Sequence, residues 1–90
     1  MEKTMKHDKT YNGWPNYETW NVMRWMNNDE PSYRLYRDAV RRVKSNGCYF
    51  NGANARYCCE LAFGTGTPDR VCFSDKKIRW GEIAKAMRAN

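Results

Sequence analysis

The 90 residues are enough for one small domain, and sixteen Lys and Arg against ten Asp and Glu leave a formal charge of +6. Leu, Ile, Val and Phe number only eleven, but thirteen aromatics and five Met supply apolar area of another kind, since a buried ring removes roughly 150–250 Å² from water. These figures exclude a multidomain enzyme, a sizeable internal cavity and, with no apolar run near ~18 residues, a membrane-spanning helix. They predict a compact fold with an aromatic and Met core in place of a disordered chain.

Residues 1–10, MEKTMKHDKT, are polar and lack an apolar signal segment, so they predict a flexible leader to a single helical domain over 11–90, retained in the cytoplasm. Asn12-Gly13 and Trp14-Pro15 favour a turn followed by an extended residue. Asn16 is suited to cap a first helix over about Tyr17 to Asn27, with Glu18 complementing the dipole in its first turn. The apolar residues of that helix point to most sides, which predicts a central, buried element. Asn28 or Asp29 caps a second helix, and Pro31 is tolerated in its first turn because the missing N–H has no helical partner there. This helix, about Pro31 to Ser45, ends at Asn46-Gly47.

The second helix is the cleanest amphipathic segment. At 100° per residue, Tyr36, Ala39, Val40 and Val43 share one face, while Arg34, Arg37, Arg41 and Lys44 fall within about 80° on another. Further on, Ala55, Cys58, Cys59 and Ala62 follow i, i+3, i+4, i+7, which favours a third helix over 53–63 stopped by Gly64; a strand through 56–63 is the rival reading. Residues 64–76 form an irregular stretch that includes the short extended piece Val71-Cys72-Phe73. A last helix from about Arg79 places Trp80, Ile83, Ala84 and Met87 on one stripe. The fold expected is therefore all-α, four short helices around the aromatic and Met core.

No constellation for catalysis stands out. The only His is His7, in the leader, and no pair of carboxylates sits in an apolar context. Glu18 reads as a helix-terminus residue. Cys48, Cys58, Cys59 and Cys72 form no C-x-x-C, so neither metal nor cofactor is expected. Reduced thiols fit best, with Cys58 and Cys59 as small core residues, although the even count leaves disulfides open.

Charge is the sharper signal. Residues 1–33 carry four bases against five acids, whereas residues 34–90 carry twelve against five, a net of +7. Cations aligned as Arg34, Arg37, Arg41 and Lys44 repel one another and gain nothing from pairing within the stripe. Lys76, Lys77 and Arg79 form a second cluster. Both suit a phosphate backbone or an acidic protein face. The N-terminal aromatics offer bases a place to stack, but the shortage of aliphatics assigns most of them to the core, leaving Tyr11 and Trp14 as the exposed aromatic contacts.

The run Asn12-Gly13-Trp14-Pro15-Asn16-Tyr17-Glu18-Thr19-Trp20-Asn21-Val22, with Trp25 and Asn28-Asp29 beyond it, resembles an N-G-W-x-N-Y-E-T-W-x-V signature. That signature opens a family of small uncharacterised proteins encoded by phages, plasmids and some bacteria and archaea. Ile78, Trp80 and Glu82-Ile83-Ala84 are similar to the same family's closing W-x-E-I-A helix. Arg24 stands where that family usually has Leu, and Arg79 where an acidic or Asn residue is common. The resemblance implies a mobile-element origin and a mostly helical fold, and it supplies no activity.

Together these readings point to a non-enzymatic accessory protein of a phage or other mobile element, active in host takeover or against host defence. Its expected partner is nucleic acid or a host nucleoprotein complex, engaged through the basic helix face. An acidic host protein is the other partner that the basic face suits. The alternative functions are a protein-only inhibitor that uses exposed aromatics on a host enzyme and, third, a small enzyme.

Overall fold

A computed structural model describes residues 11–89; the leader predicted over 1–10 lies outside them. Four helices follow in chain order: α1 (Tyr17–Asn28), α2 (Glu30–Ser45), α3 (Gly52–Phe63) and α4 (Trp80–Ala89). Among the described residues no strand forms; the only extended pairings are the isolated bridges Tyr11–Trp14 and Gly66–Cys72. The fold is all-α, and the helix ends fall within two residues of where caps and periodicity put them.

Each start has a local cause. The Asn16 side chain accepts a hydrogen bond from the Thr19 amide, and that of Asp29 from the Ser32 amide, replacing partners that the first turn of a helix lacks. Asn51 and Asn54 cap α3 reciprocally, each side chain accepting from the other's backbone N–H at 3.0 and 2.9 Å. This double cap settles the middle of the chain as helix over strand.

The core gathers Val22, Met23 and Met26 of α1, Tyr36 of α2, Ala55, Cys58 and Cys59 of α3, and Ile83, Ala84 and Met87 of α4. Phe50, Val71, Phe73 and Ile78 close it from the connections. α3 packs against both α2 and α4, and α1 against α2. Met is present as expected, but of the thirteen aromatics only Tyr36, Phe50 and Phe73 are buried. All four Trp are half-buried. Helices of ten to sixteen residues enclose too little volume to surround an indole completely, so Met, Cys and aliphatic side chains fill the centre and the large rings form its rim.

The irregular stretch belongs to the core as well. Thr67 and Phe73 donate their amides to the Val71 and Thr65 carbonyls, both at 2.9 Å, and this tight loop turns Val71 and Phe73 inward and Cys72 outward. Gly66 is required there, because a Cβ would lie 2.5 Å from the Val71 oxygen.

Four side chains of the N-terminal motif strap α1 to this stretch. Asn16 Nδ2 donates to the Lys77 carbonyl at 2.6 Å, and Thr19 Oγ1 accepts from the Arg79 amide at 3.0 Å. Asn21, fully buried, accepts from Thr67 Oγ1 at 2.7 Å and donates to Asp69 Oδ2 at 2.8 Å. Trp25 Nε1 donates to the same carboxylate oxygen at 2.9 Å. These two bonds hold the Asp69 carboxyl below its ordinary pKa, with the nearby Arg24 adding to them. Buried polar groups are tolerable only when paired, so Thr19 and Asn21 make docking of the stretch specific as well as favourable. The all-round apolarity of α1 therefore reads differently in three dimensions. Its core face is Val22, Met23 and Met26, a second face is polar and covered by the 65–79 stretch, and a third is open.

Candidate nucleic-acid interface

α2 is anchored by its inner side. Tyr36 is buried, with Ala39, Val40 and Val43 half-buried against the core, and the Tyr36 hydroxyl donates to Asn27 Oδ1 of α1. Among the described residues nothing covers the opposite side, where Arg34, Arg37, Arg41 and Lys44 are all exposed.

The cations gain nothing from one another, but they are not bare, because two of them pair with acids outside the stripe. Arg34 Nη2 lies 2.6 Å from Glu30 Oε2, and Arg41 Nη2 lies 3.0 Å from Asp38 Oδ1. The acids sit one turn away, at i−4 and i−3, where a helix brings side chains together. Arg37 donates to the Tyr33 hydroxyl at 2.8 Å and stands 5.5 Å over its ring. Both ion pairs are more than 60% exposed on each side, and pairs so placed are worth about 0–1 kcal/mol. They orient the guanidinium groups without committing them. Tyr33, Arg34, Arg37, Asp38 and Arg41 line one shallow depression of about 310 Å³.

Lys44 belongs to a separate recess of about 250 Å³, shared with Val40, Cys48, Tyr49, Phe50 and Arg88. Arg88 was not singled out from its position in the chain. It donates to the Phe50 carbonyl at 2.7 Å and stands 4.4 Å over the Tyr49 ring, binding the end of α4 to the α2–α3 connection. Lys76, Lys77 and Arg79 are exposed, but Asn16 and Thr19 hold the backbone of Lys77 and Arg79 against the first turn of α1, and none of the three lines the α2 depression. Tyr11 is exposed as expected. Trp14 is not: it is half-buried and packs against the core, because the turn ahead of α1 folds its ring back onto the bundle.

A family model described as "Family of unknown function (DUF7249)" matches residues 7–90. The chain belongs to that family. No curated protein and no solved structure matches it. As a DUF7249 chain it carries the uncharacterised-family status that its N-terminal motif implied, and within that motif Asn16, Thr19, Asn21 and Trp25 have architectural duties.

The remaining chemistry is quiet. Cys58 and Cys59 are buried and free, and burial raises both thiol pKa values, with the neighbouring Cys58 and Glu60 adding to the effect at Cys59. They serve as small apolar core residues, since only a thiolate is a strong nucleophile. Cys48 and Cys72 are exposed and unpaired. Among the described residues no group of three or more His, Cys, Asp or Glu is placed to hold a metal ion. Among them, too, no helix is long and apolar enough to cross a membrane.

Proposed function

We propose that this protein is a non-enzymatic accessory protein of a phage or other mobile element, acting in the cytoplasm of a bacterial host by binding nucleic acid or a nucleoprotein complex through the outer face of α2. The observation that carries the reading is that face itself. Arg34, Arg37 and Arg41 converge on one shallow depression, tethered only by exposed pairs that a phosphate can replace at little cost. Five bases against two acids along α2 give it the largest charge excess of the four helices. The motif resemblance supports the mobile-element origin, and a role in host takeover or against host defence follows from that origin.

Electrophoretic mobility shifts with duplex DNA and RNA across a salt series test the interface. Binding should weaken steeply with salt, and the Arg34→Glu/Arg37→Glu/Arg41→Glu variant should abolish it at moderate salt while lowering the log–log salt slope by about 2–3. No shift at low salt, or a shift unchanged in the variant, refutes the interface.

A second reading, a protein-only inhibitor, is favoured by Tyr57 and Leu61, which stand one turn apart on α3 with 61% and 58% of their surface exposed. Exposed aromatic anchors are typical of interface hot spots. Capture of a stoichiometric host protein from nuclease-treated lysate, lost in Tyr57→Ala/Leu61→Ala, would favour it over the first.

A further inference from the structure

The open face of α1 holds three aromatic rings in mutual contact. Tyr17, Trp20 and Arg24 follow i, i+3, i+7 and therefore share an outward stripe. Tyr11 is laid over them by the turn that precedes the helix. In that turn Tyr11 and Trp14 exchange both backbone hydrogen bonds, at 2.6 and 2.8 Å. Asn12 and Gly13 between them take φ values of 49° and 86°, the left-handed pair that a two-residue reversal requires.

Tyr11 lies 4.7 Å from Trp20 and 5.4 Å from Tyr17, centroid to centroid, and Tyr17 lies 5.6 Å from Trp20. The planes meet at 41° to 85°, so no pair stacks face to face. The Arg24 guanidinium stands 5.3 Å over the Trp20 ring, and the Tyr17 hydroxyl accepts from Asn21 at 3.3 Å. Tyr11 and Tyr17 nonetheless keep 41% and 39% of their surface in solvent. In a chain this short of aliphatics, the bonds that fix these rings hold them at the surface and not in the core.

One cation stands directly on the rings, Arg24 over Trp20. Asn16, the residue before Tyr17, binds the Lys77 carbonyl, which brings an exposed lysine to the first turn of α1. The one acid of this turn, Glu18, lies around the helix from the stripe by the 100° step.

We propose that the Tyr11–Tyr17–Trp20 face, with Arg24 over Trp20 and Lys77 held at the first turn of α1, is a stacking surface for the unpaired bases of single-stranded nucleic acid. The ligand must offer flat π-faces and negative charge together. A duplex keeps its bases stacked inside, and an acidic peptide brings charge without flat rings, whereas a single strand presents both. Rings already fixed by the turn and by Asn21 lose little conformational freedom on binding, which favours a weakly sequence-dependent contact. This surface is separate from α2 and does not need α2 to bind.

Fluorescence anisotropy with a labelled oligothymidylate of about 12 nucleotides, within the usual site size for such surfaces, and with a duplex of equal length provides the test. It compares wild type with Tyr11→Leu/Tyr17→Leu, which keeps apolar cover over Trp20 but removes both phenol rings. The variant should lose about tenfold in single-strand affinity, the scale of one lost stacked base, with duplex affinity and salt slope unchanged. Trp fluorescence should be quenched by the oligonucleotide in wild type and less so in the variant. Tyr17→Leu alone, which leaves Tyr11 over Trp20, serves if the double variant melts. A folded variant that binds the single strand as wild type does, or a wild type that does not bind it, overturns the proposal, as does a host protein captured through these rings with no oligonucleotide bound. If Arg34→Glu/Arg37→Glu/Arg41→Glu weakens both ligands while the Leu variants are silent, the α2 interface stands and the stacking surface falls. The reverse pattern upholds the stacking surface and refutes α2.

Discussion

α1 and α2 are joined through the single residue Asp29, yet they hold their places in opposite ways. α2 has one buried apolar face, and the rest of its surface answers to solvent. α1 is wedged between the core and the 65–79 stretch, and its buried side chains include Thr19 and Asn21, both hydrogen-bonded to residues 46 to 60 positions away. The contrast separates two kinds of distinctive residue. A dense motif in α1 marks where the fold is assembled, while the residues of α2 with no tertiary duty are free to meet a partner. The open stripe of Tyr17, Trp20 and Arg24 is the part of α1 that behaves like α2.

The largest effect should come from the buried polar seam. Asn21→Ala strips partners from Thr67 and Asp69 at once and leaves the buried Thr67 hydroxyl without its acceptor, which should cost about 2–3 kcal/mol in urea unfolding. A loss below about 0.5 kcal/mol would mean that the seam is decoration and that the comparison with α2 fails.

Asp69 sharpens the same seam through pH. Its folded pKa lies below the ordinary 3.8 because Asn21 and Trp25 bind the ionised form. The stability it contributes is therefore complete above the unfolded pKa and is lost as pH falls through the lowered folded value. The stability gap between wild type and Asp69→Asn should be flat above about pH 5 and close as the pH falls below 3.8. A gap that stays constant down to pH 2 would show that the carboxylate has no role in docking the stretch.

The smallest effect is expected on α2. Arg34→Ala, Arg37→Ala and Arg41→Ala should each move stability by no more than about 0.5 kcal/mol, as measured by thermal melts. A change above about 1.5 kcal/mol in any of them would make the outer face structural and remove the distinction between the two helices.

The helices were legible because their causes are local. Asn16 and Asp29 cap, Pro31 begins, Gly47 and Gly64 end, and a 3.6-residue period marks the inner faces of α2 and α4; the cap at Asn51 came only with the structure. The basic stripe was legible for the same reason; its tethers were not read, although Glu30 and Asp38 stand at the spacing that pairs them with Arg34 and Arg41. The outward stripe of α1 also had a signal in the i, i+3, i+7 spacing of Tyr17, Trp20 and Arg24, but it was hidden while every aromatic was needed for the core. Once Met, Cys and residues of the connections fill the interior, that need disappears.

By itself the sequence determined the first, second and last helices, their order, and the concentration of positive charge after residue 33, since each follows from neighbours within a turn or from simple counting; it favoured a helix over 53–63 without excluding a strand. Only the tertiary structure decided that Asn21 and Trp25 converge on Asp69, that Trp14 turns inward while Tyr11 and Tyr17 stay out, and that the backbone of Lys77 and Arg79 is held against the first turn of α1. Each of those depends on contacts between residues tens of positions apart or on which face a packed helix leaves open. Periodicity along one segment carries no information about either.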